Sequence, residues 1–144
     1  MSDGHIDPTR AHFDAFKDLP RDEPIHMLNL LRFRDRAAYP EGHEHADKDW
    51  SGRRAYAEYG RSSAPVFSRV GGSIVWRGSF ECLVIGPEGE RWDDGFVARY
   101  PSATSFLAMI ADPDYQRAVV NRTAALADSR LVRFSPGAEG HGFG

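Results

Sequence analysis

The run Pro24–Phe33, PIHMLNLLRF, constrains this chain more than any other stretch. It is almost wholly apolar, opens on a proline and is too short to stand as a helix, so it reads as a central β-strand buried on both faces. Side chains alternate across a strand. Leu28 and Leu30 on one side suit an entirely apolar neighbour such as packed helices. Ile25, Met27, Asn29, Leu31 and Phe33 on the other side carry a single amide in their midst. A buried Asn must find hydrogen-bond partners or sit in a wet pocket, which makes Asn29 the first candidate ligand contact.

The rest of the chain arranges itself around this strand. Asp7-Pro8 reads as a helix start, with Phe13, Phe16 and Leu19 as an apolar stripe and Pro20 as its stop. Residues 34–50 are polar, with Pro40, Gly42 and His43-Glu44-His45, and read as a long surface loop. Ser51 caps a second helix whose Tyr56, Gly60, Ser63, Phe67 and Val70 recur at helical spacing; Pro65 predicts a kink or restart near Ser62-Ser63, and Gly71-Gly72 ends the element. A second strand over 73–85 with a bulge at Gly78, a turn at 86–89 and a third strand over 96–100 form a hairpin. Pro101-Ser102 leads into a helix carrying Phe106, Met109 and Ile110. Asp112-Pro113 ends it and starts another, with Tyr115, Val119 and Leu126 on its buried side. Leu131–Phe134 is the last strand.

Without the first helix this order is β-α-β-β-α-β, the α+β ferredoxin-like pattern. The expected organisation is a helical extension over 1–23, a ferredoxin-like domain over 24–134 and a flexible Gly-rich tail over 135–144. Helices cover only one face of such a sheet, and the other would leave an apolar patch in water. The expected remedy is a homodimer closed sheet to sheet as an α/β barrel, with Met27, Leu31 and Phe33 at its interface.

Five short motifs in order carry a resemblance: Met27–Phe33, Gly71-Gly72 with Val75-Trp76-Arg77-Gly78, Tyr100-Pro101-Ser102, Asp112-Pro113-Asp114-Tyr115 and Ala127-Asp128-Ser129-Arg130. On these the chain resembles the domain of unknown function 1330 family, within the dimeric α/β-barrel superfamily. Three features depart from the family pattern: the N-terminal helix, the long loop over 37–50, and Arg99 where many relatives carry an acidic residue. The resemblance implies the fold and the dimer. The wider superfamily includes cofactor-free monooxygenases, small-ring isomerases, haem-handling proteins and plain ligand binders, and fold alone does not choose among them.

Candidate site residues follow from residue chemistry. Arg77 and Arg99 sit in strands, where a guanidinium reaches the rim, pairs with an acid or awaits an anionic ligand. Tyr59 and Trp76, with Tyr56, are aromatic candidates for a pocket wall. Glu81 is the weak catalytic candidate: a carboxyl against an apolar wall has its pKa raised and can serve as a base. Cys82 reads as a small core residue. His43 and His45 lack a third ligand in sequence, so no metal site is expected, and no cofactor or phosphate-binding motif is present.

A net charge of −3 without a basic stripe argues against nucleic acid, and no apolar run approaches a membrane span. The lone cysteine and the absence of a secretory leader fit a cytoplasmic protein. The expected function is a small homodimeric barrel that binds a small, partly apolar molecule, with or without an anionic group. A cofactor-independent monooxygenase or isomerase, and a structural or regulatory dimer without ligand, are the alternatives.

Overall fold

A computed structural model describes residues 4–138, 140 and 142–143. The order is α1 (Arg10–Asp18), β1 (Ile25–Phe33), α2 (Gly52–Arg69), β2 (Ser73–Ser79), β3 (Asp94–Tyr100), α3 (Ala103–Ala111), α4 (Pro113–Ala125) and β4 (Leu126–Phe134). The four strands form one antiparallel sheet in the order β2-β3-β1-β4, so β1 is central and β2 and β4 are edges. This is the α+β ferredoxin-like arrangement, preceded by an extra helix. The expected flexible tail falls partly outside the described residues.

Local chemistry explains most element ends. Ser51 caps α2 by accepting from the Arg54 N–H at 3.1 Å, and Asp112 caps α4 by accepting from the Asp114 N–H at 2.8 Å, with Pro113 at the first helical position. Gly71 adopts a left-handed φ of 88° just past the end of α2.

Several expectations need correction. Thr9, not Asp7, caps α1, through the His12 N–H. Helix α2 runs unbroken through Pro65. The β2 bulge falls between Ile74 and Trp76 rather than at Gly78, and β2 stops at Ser79. Strand β4 begins at Leu126, directly at the end of α4, so Leu126 is a buried strand residue and not a helical one.

The most consequential correction concerns the faces of β1. Ile25, Met27 and Leu31 are almost fully buried beneath the helices, and Asn29 is buried among them. Ile25 and Met27 pack with Val66 of α2, Met109 of α3 and Tyr115 of α4, while Leu31 packs with Ala55 of α2 and Ala125 at the end of α4. Phe33 also lies on this side, against Tyr56 at 5.5 Å. The face without helices carries His26, Leu28, Leu30 and Arg32. Both β1 faces are apolar, so alternation separates them without saying which meets the helices. The small residues Ala55, Ala98, Ala103 and Ala118, all buried, let the helices approach the side where β1 puts its larger set.

Candidate ligand-binding cavity

The helices do not close completely on the sheet. A cavity of about 1560 Å³ lies between the inner sheet face and helices α1, α2, α3 and α4. It exists because the inner face is well covered only at its centre. Leu131 on β4 pairs with Asn29 and faces inward, yet is 42% exposed; Ile74 on β2 faces inward beside Ala98 and is 45% exposed.

Polar groups interrupt the apolar wall at a few points. The Asn29 side-chain N–H donates to the Met27 carbonyl at 3.1 Å, while its amide oxygen accepts from no described residue. Tyr59 and Tyr115 share a hydroxyl–hydroxyl hydrogen bond of 2.8 Å. Tyr56 packs against Tyr59 with ring centroids 5.2 Å apart and ring planes tilted by 52°, and it lines the cavity. Burial raises all of these phenols above their ordinary pKa; for Tyr56 the Arg122 guanidinium pulls the other way. They therefore remain hydroxyls, able to donate to a ligand oxygen. Asp94 lies at the same wall with Oδ2 bound to Arg53 at 3.0 Å, and its buried Oδ1 has no partner.

The candidate residues separate by face. Asn29, Tyr59 and Arg77 line the cavity. Arg77 pairs with Phe96 on the inner face at the β2 edge, with no carboxylate partner among the described residues. Arg99 and Trp76 lie on the outer face, Arg99 opposite His26 and Trp76 opposite Val97. The Trp76 indole lies over Gly78 and Gly95, close enough that a Cβ at Gly78 would sit 3.3 Å from it. Glu81 is exposed beyond the end of β2, so it does not sit on a strand against an apolar wall. Cys82 is exposed as well, not a core residue.

The histidine loop is an aromatic corner. His43 stacks on Tyr39 at 4.8 Å and His45 packs tilted against Trp50 at 4.5 Å, while the Tyr39 hydroxyl donates to Asn121 Oδ1 at 2.5 Å. Burial pushes the Tyr39 hydroxyl up to about 12. Among the described residues no group of three or more His, Cys, Asp or Glu converges as a metal site would require.

Sequence reasoning missed two parts of the wall. The Tyr59–Tyr115 pair joins residues 56 positions apart, which no local spacing reveals. Helix α1 reads in the sequence only as an extension with an apolar stripe, yet His12, Phe13 and Phe16 form part of the lining.

A family model described as a domain of unknown function, DUF1330, matches residues 45–134, more than half of the chain. The chain belongs to the DUF1330 family. That match begins after β1, so Asn29 and the whole of α1 lie outside it. A solved protein of unknown function from Rhodopseudomonas palustris, RPA0582, is 51% identical, with 94% of this chain and 99% of that one aligned at a TM-score of 0.85. The methylated form of RPA0582 aligns over 97% and 100% of the two chains, at 51% identity and a TM-score of 0.88. SnoaB, a cofactor-independent oxygenase from Streptomyces nogalater, shares the fold at 12% identity and a TM-score of 0.51, covering 81% of this chain and 96% of its own. No curated protein matches the chain. No helix among the described residues of this DUF1330 protein is long and apolar enough to cross a membrane.

Proposed function

We propose that this protein binds a small, partly apolar molecule in the cavity between its sheet and its helices, as a homodimer closed through the outer sheet face. The observation that carries the binding reading is the cavity itself. Its volume of about 1560 Å³ exceeds the roughly 300–1,000 Å³ common for small-molecule sites, and its wall is aromatic and aliphatic with a few polar groups. The Asn29 amide oxygen and the Tyr56 hydroxyl offer one acceptor and one donor to a neutral polar group, and Arg77 at the open β2 edge suits a carboxylate. In this reading Asn29 contacts the ligand from a sheet–helix cavity rather than from a barrel between two sheets.

Binding is favoured over turnover. Three carboxylates in or near the strands serve poorly as a base: Glu81 is exposed beyond β2, Asp94 is ion-paired with Arg53 through Oδ2, and Asp128 accepts from the His5 and Ser129 N–H groups and from Arg130. The oxygenase activity of SnoaB belongs to a protein that shares only the fold.

The dimer is supported by what the outer face exposes. Leu28, Val97, Val132 and Trp76 form one transverse row, with Phe134 beside it. Val132, Phe134 and Trp76 are 40%, 52% and 54% exposed. A two-fold axis brings the same patch of a second copy against this one.

The test is a thermal-shift panel of one- to three-ring aromatics bearing hydroxyl, keto or carboxylate groups, run on the native chain and on Leu131→Trp. The larger ring at position 131 projects into empty space. Saturation at 100 times Kd stabilises the native state by about 2.7 kcal/mol, which is a rise of several degrees, and Leu131→Trp abolishes it. A panel without any shift, or shifts undiminished in Leu131→Trp, would overturn the cavity as the site.

A further inference from the structure

The N-terminal arm is tied down at two places, and both ties lead to β4. At its start, the His5 N–H donates to Asp128 Oδ1 at 2.8 Å, Ser129 Oγ donates to the His5 carbonyl at 2.5 Å, and Arg122 donates to the Ile6 carbonyl at 2.8 Å. Gly4 lies so close to the β4 backbone that a Cβ there would sit 1.7 Å from the Ala127 oxygen. At its end, Arg133 donates to the Phe16 and Pro20 carbonyls at 3.1 and 2.5 Å and stacks over the Phe16 ring. Thr104 adds two bonds to the Arg21 carbonyl, at 3.1 and 3.0 Å.

The spacing of the two ties fits the helix between them. Ser129 to Arg133 spans roughly 13 Å of strand at about 3.3 Å per residue, and the nine residues of α1 span roughly 13 Å at 1.5 Å per residue. Helix α1 thus runs alongside β4 as a strap fixed at both ends. Between the ties it is poorly seated. None of its residues is buried, and Leu131, midway along the strand and facing inward, keeps its exposure. Phe13 and Phe16 line the space that remains.

We propose that this arm is part of the binding site: Phe13 contacts the bound molecule, and the strap swings off its Arg133 tie to admit it. The proposal rests on the cavity being the ligand site. It follows from the contrast in the arm's own contacts. The first tie is three hydrogen bonds that each use a side chain, and it holds Gly4 so close to the β4 backbone that no Cβ fits there. The second joins Arg133 and Thr104 to the end of the arm next to Phe13 and Phe16, so its release uncovers the cavity at those two rings.

The probe is 1-anilinonaphthalene-8-sulfonate, followed by stopped-flow fluorescence on the native chain, Arg133→Ala, Thr104→Val, Phe13→Ala and Leu131→Trp. Weakening the second tie, with Arg133→Ala or, through loss of one hydroxyl bond, Thr104→Val, is expected to raise association and dissociation rates together, by about tenfold for Arg133→Ala, with Kd changed by less than about threefold, because a gate alters rates more than equilibrium. Phe13→Ala is expected to weaken Kd by about tenfold through loss of ring contact. Trypsin gives a second readout. Saturating probe should slow cleavage after Lys17 in α1 while leaving cleavage after exposed Arg91 in the β2–β3 loop unchanged. Probe that binds with the same rates in Arg133→Ala, the same Kd in Phe13→Ala and no protection at Lys17 would overturn the strap while leaving the cavity site standing. Absence of probe binding that Leu131→Trp can remove would overturn both.

Discussion

Placing a charge at Val132 should take the dimer apart without unfolding the subunit. Val132 sits on the outer face opposite Leu28, 40% exposed in the single chain. Covering its remaining surface contributes on the order of 1 kcal/mol, a fraction of the roughly 1.5–3 kcal/mol for full burial of such a side chain. A lysine there loses that and must also shed water without a partner, which costs several kcal/mol per ion. Two-fold symmetry counts the change twice, so Val132→Lys should weaken association by about 6–10 kcal/mol, or at least four decades in dissociation constant. The neighbouring substitution Leu131→Lys is the control: one residue away, it faces the cavity and should leave assembly alone. Size-exclusion chromatography with light scattering, at matched concentrations and with circular dichroism to confirm folding, reads both. A Val132→Lys protein that remains a dimer, or a Leu131→Lys protein that becomes a folded monomer, would refute the outer-face interface. Leu31→Lys, by contrast, should fail to fold, because Leu31 is 1% exposed beneath the helices.

Gly52 opens α2 where a Cβ would lie 2.3 Å from the Arg34 oxygen and 2.5 Å from the Ala125 oxygen. Gly52→Ala should therefore destabilise by about 2 kcal/mol or more in urea titration, reversing the ~0.5–1 kcal/mol that Ala ordinarily gains over Gly in a helix. Glu58, bonded by Arg61 at 3.2 Å and Ser62 at 3.1 Å, has its carboxyl pKa lowered to about 2, with the Arg61 hydrogen bond as the main cause. A depressed native pKa gives stability that is present above the ordinary value near 4.5 and lost as pH falls towards 2. The acid limb of a stability–pH profile should flatten in Glu58→Gln; an unchanged slope would remove this assignment. All five tyrosines have raised pKa values, burial being the first cause in each, so phenolate absorbance at 295 nm should rise at higher pH in the folded protein than in the unfolded chain. Because their native pKa values lie above the unfolded ones, the stability they confer is whole below pH ~10 and is lost as pH rises past it.

Much of this architecture was legible in the chain because its signals are local. Pro24 and the apolar run after it marked a central strand, and Ser51, Asp112-Pro113 and Gly71 placed helix ends by capping chemistry that acts within a few residues. The β-α-β-β-α-β order followed, and with it the ferredoxin-like fold. Asn29 stood out because an amide inside an apolar strand demands an explanation wherever the strand lies. Which face of β1 meets the helices was not local. Both faces are apolar, and the choice depends on Ala55, Ala98 and Ala103 permitting close approach on one side, residues from three other elements. The same holds for the cavity, which exists because the helices cover the centre of the sheet and leave the inward-facing Leu131 and Ile74 uncovered at its edges. The pairing of the Tyr59 and Tyr115 hydroxyls and the laying of α1 along β4 likewise join segments far apart in sequence. Alternation and capping fix which residues lie together on one strand or helix; only the packing of elements against one another decides which faces meet and where space is left between them.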